Sequence, residues 1–222
     1  MYRHIIWDWN GTLIDDTCLC LEITNQMLRE RDLPEVELHR HRDLFDLPIS
    51  VYYERIGFDF DADPMQVLND EFAASYAARR AECGLHHPAT DILGGFAARG
   101  YAQSVLSAYP QDALEDAISY FRLSGYFSGL FGHLETFAGS KLGRGADCLS
   151  ATGHDPADVV LVGDTVHDWE VATHLGIACI LLSHGHQSRT RLESCGVPVL
   201  DSLSALQDIL PGIRYPGGES YP

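Results

Sequence analysis

Positive charge is scarce in this chain. Of its 222 residues, 15 are lysine or arginine and 32 are aspartate or glutamate, a formal net charge of −17. Only one residue is a lysine, Lys141. Such a balance argues against non-specific nucleic-acid or anionic-membrane partners, which are held by basic patches. It also sets a condition on any anionic substrate: a local cation must overcome the global field. A divalent metal held by an acidic cluster meets that condition.

Long apolar runs are missing too. No stretch of 18 or more apolar residues appears, so no transmembrane helix is expected. The first apolar run is too short for a secretory signal, and Asp8 interrupts it, so a cytoplasmic protein is expected. The six cysteines, at 18, 20, 83, 148, 179 and 195, form no CxxC pair and no cysteine–histidine set with metal spacing. They read as free buried thiols in a reducing compartment. The 11 histidines form no metal-spaced set either. His184 and His186 assign nothing by themselves, and His167 is placed near a site only by lying inside "GDTVHD". What remains is ordinary for a soluble globular chain: 45% hydrophobic and 21% charged residues.

Residues 3–8 read as a short buried strand, and 17–31 as a helix with Asp16 or Thr17 as N-cap. Helices are expected over 36–47, 48–57 and 64–82, the last with Asp63 as N-cap and Pro64 in the first turn. Beyond residue 88 the pattern alternates. Helices are expected at 91–99, 111–123, 142–152 and 168–175. Strands are expected from "YAQSVLSA", "HLETFAG", "DVVLVGD", "IACILLS" and "VPVL". Alternating strands and helices imply a parallel sheet covered on both faces. The division expected is an α/β core from 1–15 and 88–210, a helical insert at 16–87, and a Pro/Gly-rich tail at 211–222. Hinges are expected near 15–17 and 83–88.

In an open parallel sheet, ligands bind at the carboxyl ends of the strands. Polar residues stand at those ends: Asp8 after the first strand, Ser107 in "VLSA", and Asp164 after "VVLVG", with Asp168 four residues on. Lys141 precedes the helix before that last strand. A carboxylate in such a crevice can act as a nucleophile or help hold a divalent metal.

The set "DWNGT" (8–12), "VLSA", Lys141 and "GDTVHD" (163–168), in this order, resembles the haloacid dehalogenase superfamily, nearest its phosphoglycolate-phosphatase-like branch. The resemblance spans nearly the whole chain, to about residue 205. It implies a Rossmann-like parallel-sheet core with an inserted α-helical cap of C1 type. It further implies Asp8 as nucleophile, with Asp8, Asn10 (through its carbonyl), Asp164 and Asp168 around Mg²⁺, the last through water. Lys141 orients Asp8 and offsets the negative charge. Ser107 and the backbone around Gly11 and Ala108 bind the phosphoryl group, and Thr12 orders the loop. The expected partner is a small phosphorylated metabolite, with the protein a monomer or homodimer.

The chain departs from that pattern at Asn10, where the phosphatase branches usually carry an acid–base aspartate. Asparagine exchanges no proton near neutral pH. Losing a positioned acid–base typically costs 10²–10⁴-fold in rate. Three readings stay open: a phosphatase with a good leaving group or a proton from elsewhere, an impaired binding or regulatory protein, and a hydrolase of a different bond. Dehalogenases of the superfamily usually carry a tyrosine-type residue here, unlike this chain. Phosphonatases use a cap lysine, and residues 16–83 contain no lysine. The expected substrate-facing segment is "FDLPISVYYERIGF" (45–58), whose Arg55 is either an anion contact or a solvated helix residue. Asn10-Gly11 is also a sequence prone to deamidation, unless packing protects it.

Overall fold

The computed structural model describes residues 2–134 and 141–210. Six strands form one parallel sheet: β1 (His4–Trp7), β4 (Ala102–Pro110), β5 (Gly129–His133), β6 (Val159–Gly163), β7 (Ala178–Leu182) and β8 (Val199–Leu200). The order is β5-β4-β1-β6-β7-β8. The near-continuous apolar runs "HIIW" and "VVLVG" are buried at every position, as strands covered on both faces must be. Their side chains divide by parity. Ile5, Trp7, Val160 and Val162 pack in one core, and Ile6, Val159 and Leu161 in a second core on the opposite face. The helices α5 (Ala89–Ala98), α6 (Gln111–Tyr120), α7 (Lys141–Thr152) and α8 (Val166–Leu175) connect these strands.

Between β1 and β4 the chain leaves the large sheet. It runs through β2 (Ile14–Asp15), then α1 (Thr17–Arg29), α2 (Leu38–Leu44), α3 (Ile49–Ile56) and α4 (Met65–Arg79), and returns through β3 (Gly84–Leu85). β2 and β3 pair antiparallel, so the outgoing and returning chains are stitched where hinges are expected. Leu28 of α1, Tyr52 and Tyr53 of α3 and Leu68 of α4 are buried and join the first core. No helix of the described residues is long and apolar enough to cross a membrane.

Three local expectations are corrected. Asp16 occupies the N-cap position of α1 but makes no side-chain cap bond; its carboxylate is drawn into a different network. Pro64, not Asp63, stands at the cap of α4, because Asp63 is engaged by Arg31 at 2.9 Å. The strand expected at "HLETFAG" lies earlier, at Gly129–His133, where it pairs with β4; residues 135–139 of that stretch lie outside the described residues.

Candidate active site

The order of the sheet changes direction at β1, which lies between β4 and β6. The crevice beyond the carboxyl ends of those strands is where ligands bind in such sheets. Asp8 follows β1 directly and Asp164 follows β6, while Ser107 sits near the end of β4. The Asp8 N–H donates to Val162 O at 2.9 Å, which ties the two loops together. Lys141, the first residue of α7, donates to Asp8 Oδ1 at 2.7 Å and to Asp168 Oδ1 at 2.6 Å. Asp168 also closes a capping box on α8: its Oδ2 accepts the Thr165 N–H at 3.0 Å, and the Thr165 hydroxyl as well at 2.6 Å. One residue thus caps a helix and clamps the lysine.

Gly11 and Thr12 organise the loop after Asp8. Thr12 Oγ1 donates to Asp164 Oδ1 at 2.8 Å. Gly11 has φ +71°, and a Cβ there would stand 2.4 Å from Asp164 Oδ2 and 2.6 Å from the His186 ring. Only glycine fits both the backbone and the close approach. Ser107 is buried, and its Oγ accepts the Tyr109 N–H at 3.1 Å. A hydroxyl that accepts this way keeps its proton to donate. Ala108, Ser107, Lys141, Asn10 and Asp8 line one cavity. All the motif residues therefore meet. His167 does not join them; it pairs with Glu170 at 3.2 Å on α8. Arg55 also stays out, bound to Asp46 at 2.7 Å.

Charge is crowded here. Asp8, Asp164 and Asp168 are buried, with oxygens within 4.8 Å of one another. Burial, reinforced by the Asp168 charge, pushes Asp8 up to about 8 despite Lys141. Burial likewise lifts Asp164 to about 6. At Asp168 burial is outweighed by Lys141, which holds that carboxyl below its ordinary value. Lys141 is driven further toward its charged form: burial works against it, but the charges of Asp168 and Asp8 prevail. One ammonium faces three carboxylates, so the donor set is all oxygen and under-compensated, which fits a hard divalent cation.

Removing that ammonium has a clear expected outcome. Lys141→Met leaves Asp8 and Asp168 buried without their shared partner, and breaking a buried pair from one side typically costs about 3–5 kcal/mol. Thermal melts should show a fall of about 6–20 °C at the usual 2–4 °C per kcal/mol for a chain of this size. Added divalent metal should narrow the deficit.

A second network surrounds Asn10, and sequence reasoning missed most of it. Asn10 Nδ2 donates to Asp16 Oδ2 at 2.6 Å and to the Tyr76 hydroxyl at 3.0 Å. Tyr76, from α4, donates its own proton to Asp16 Oδ2 at 2.7 Å. Gly11 N donates to Asp16 Oδ1 at 2.8 Å, and His186 Nε2 lies 3.4 Å from the same oxygen. Burial would raise the Asp16 carboxyl, but His186, Asn10 and Tyr76 together hold it below its ordinary value. Burial would lower His186, but Asp16 outweighs it and raises it. His186 N also donates to Asp164 Oδ2 at 2.7 Å, an approach that requires Gly185, whose added Cβ would meet that oxygen at 2.2 Å. The only sequence signal was an aspartate where a helix cap was expected; His186 carried none. In the deamidation-prone pair, the attacking nitrogen, Gly11 N, is already hydrogen-bonded, and the amide is pinned from two sides.

The cavity over these residues has a volume of about 280 Å³. Its walls beyond the carboxylates come from Phe45, Leu47, Ile49, Tyr52, Phe72 and Tyr76 of the four-helix segment. A second cavity, about 460 Å³, lies beyond Tyr76 and Tyr109; Trp9 lines it, but Asp8, Asn10, Ser107, Lys141, Asp164 and Asp168 do not. The helical segment is bonded to the loop after β7. Arg42 donates to the carbonyls of His184 (2.7 Å) and Gly185 (3.0 Å), and Gln187 donates to Phe45 O at 2.9 Å.

Comparison with known proteins agrees with this geometry. A phosphoglycolate phosphatase from Rhodospirillum rubrum is 26% identical over 99% of this chain and 95% of its own length. A 5'-nucleotidase from Pseudomonas aeruginosa is 22% identical over 87% of this chain and 88% of its own. In structure, a haloacid dehalogenase-like hydrolase from Streptococcus pneumoniae superposes with a TM-score of 0.79, at 17% identity, over 94% of this chain and 98% of that one. Residues 5–182 match the haloacid dehalogenase-like hydrolase family. With Asp8, Lys141 and the pair Asp164 and Asp168 gathered at the switch point of a parallel sheet, the chain belongs to that family.

Proposed function

We propose that the protein is a metal-dependent phosphatase that hydrolyses a small phosphate monoester through an aspartyl-phosphate on Asp8. The observation that carries this reading is the buried Asp8–Lys141–Asp168 chain, with Asp164 beside it, next to a cavity that Asp8 and Lys141 line. Mg²⁺ would be held by Asp8, Asp164 and the main-chain carbonyl of Asn10, with Asp168 adjacent; when bound, it supplies the positive charge that offsets the carboxylates and the phosphoryl oxygens. Lys141 aims Asp8 Oδ1 and neutralises it as the anionic phosphoryl group approaches. Ser107 and the backbone N–H groups near Gly11 and Ala108 orient the phosphoryl oxygens for in-line attack. Residues 16–87 act as a cap whose aromatic wall excludes water and contacts the leaving group. Residues 1–15 and 88–210 form the catalytic core. The pairing of β2 with β3 at the two crossings supports that division.

The deciding experiment is a phosphate-release screen over phosphorylated metabolites with Mg²⁺, with and without EDTA. Asp8-dependent release that EDTA abolishes is expected. Mg²⁺ should also raise the melting temperature, since a ligand at a hundred times its Kd stabilises by about 2.7 kcal/mol. No release from any phosphate ester, with no thermal shift, would return the protein to a binding role.

A further inference from the structure

Resting on the phosphatase reading, the geometry points to a specific substrate class: we infer that the leaving group is an uncharged phenol, so that the substrate is an aryl phosphate rather than a phosphorylated carboxylic acid.

Two independent observations converge. The first is the cavity wall. Phe45, Leu47, Ile49, Tyr52, Phe72 and Tyr76 present rings and aliphatic groups where the leaving group must lie. Among the described residues the cavity's cations are Lys141, already shared between Asp8 and Asp168, and His186, already paired with Asp16. Burial holds the remaining basic side chain, His41, far down at about 3, and therefore neutral. No arginine lines it among the described residues. The nearby ones are committed elsewhere: Arg42 to the carbonyls of His184 and Gly185, Arg80 to Asp116 outside the cavity and to the hydroxyl of Tyr109 at its edge, Arg55 and Arg191 to Asp46. A carboxylate placed here would be desolvated with no uncommitted cation to pair with among the described residues, whereas a ring stacks on aromatic walls. The volume, about 280 Å³, corresponds to roughly nine liquid waters, enough for a small ring beside the phosphoryl group.

The second observation is Asn10. Its amide is committed to Asp16 and Tyr76, and it has no proton to give. An aliphatic alkoxide, as basic as hydroxide, leaves badly without one; a phenolate, with a conjugate acid near pKa 10, leaves without help. In the step inferred, an Asp8 oxygen forms a bond to phosphorus. The P–O ester bond breaks, and its electron pair departs on the phenolate. Water then attacks the aspartyl-phosphate, its oxygen ending on hydrogen phosphate, and Asp8 is restored. The proton this water releases is the one the phenolate takes up in solvent.

The two observations predict separable readouts. With Mg²⁺, phenyl phosphate, benzyl phosphate and 2-phosphoglycolate are compared on the wild type, Asp8→Asn and Leu47→Arg. The ring should lower KM for phenyl and benzyl phosphates at least about tenfold below that for 2-phosphoglycolate. The phenolate should raise kcat/KM, which reports formation of the aspartyl-phosphate, for phenyl over benzyl phosphate by about 10²-fold, the low end of a missing general acid. Leu47→Arg should raise kcat/KM for 2-phosphoglycolate while lowering that for phenyl phosphate; its melting curve reports whether it folds, and the wild-type comparison stands without it. Asp8-dependent turnover in which 2-phosphoglycolate has the lowest KM, or in which benzyl and phenyl phosphates share one kcat/KM, overturns the inference and leaves the phosphatase reading intact. Absence of Asp8-dependent release from all three and from the wider screen overturns the phosphatase reading itself.

Discussion

Asp8→Asn is expected to abolish phosphate release, by about 10⁴-fold or more, while the protein melts no lower than the wild type. The loss follows from removing the attacking oxygen, the kind of change whose cost in covalent catalysis reaches about 10⁶-fold. The stability half follows from the burial of Asp8. Its folded value, about 8, lies above that of an unfolded aspartate. A carboxyl raised in this way destabilises the fold progressively as pH climbs from the unfolded value to the folded one. An amide carries no such penalty, and Lys141 keeps Asp168 as partner. Melts at pH 5 and pH 8 in EDTA should therefore show Asp8→Asn gaining on the wild type as pH rises. The gain should shrink with Mg²⁺, which compensates the wild-type carboxylate. A variant that loses activity and also melts far below the wild type would mean that Asp8 is structural.

Asn10→Asp is expected to destabilise rather than simply restore an acid. In this chain the amide of Asn10 is the donor that Asp16 Oδ2 receives at 2.6 Å. An aspartate there sets two carboxylates in contact, and one must stay protonated or repel. We expect a loss of about 2–4 kcal/mol at pH 8, the scale of a lost charged hydrogen bond plus an uncompensated buried charge. The proton shared by the new pair titrates above an ordinary carboxyl. The deficit should therefore be small near pH 5, where the pair holds it, and grow as pH rises. Asn10→Asp combined with Asp16→Asn reverses donor and acceptor and should recover most of the stability. Equal melting of Asn10→Asp and wild type at pH 8 would show that the Asn10–Asp16 contact carries no weight. The same argument bears on deamidation, since its product is this aspartate.

Much of this architecture was legible in the chain because its signals are local. Runs such as "VVLVG" cannot satisfy a half-exposed strand, so they announce a sheet buried on both faces. The register of helices and strands after residue 88 announced the parallel order. Asp8, Ser107, Lys141, Asp164 and Asp168 stood out because each sits at a strand end or helix start, where a parallel sheet opens its crevice. Asp16 misled for the same local reason: an aspartate before a helix ordinarily caps it. Its true partners are 60 residues away at Tyr76 and 170 away at His186, and no spacing rule reaches that far.

The amino-acid order by itself determined the fold class, the family and the carboxylates that meet at the sheet's switch point, because periodicity and motif order are properties of neighbours along the chain. Only the tertiary structure decided what holds the Asn10 amide and which side chains line the cavity beside Asp8. Those depend on which distant side chains converge. Tyr76 and His186 fasten Asp16 beneath Asn10, and aromatic side chains of the helical segment line the cavity beside Asp8.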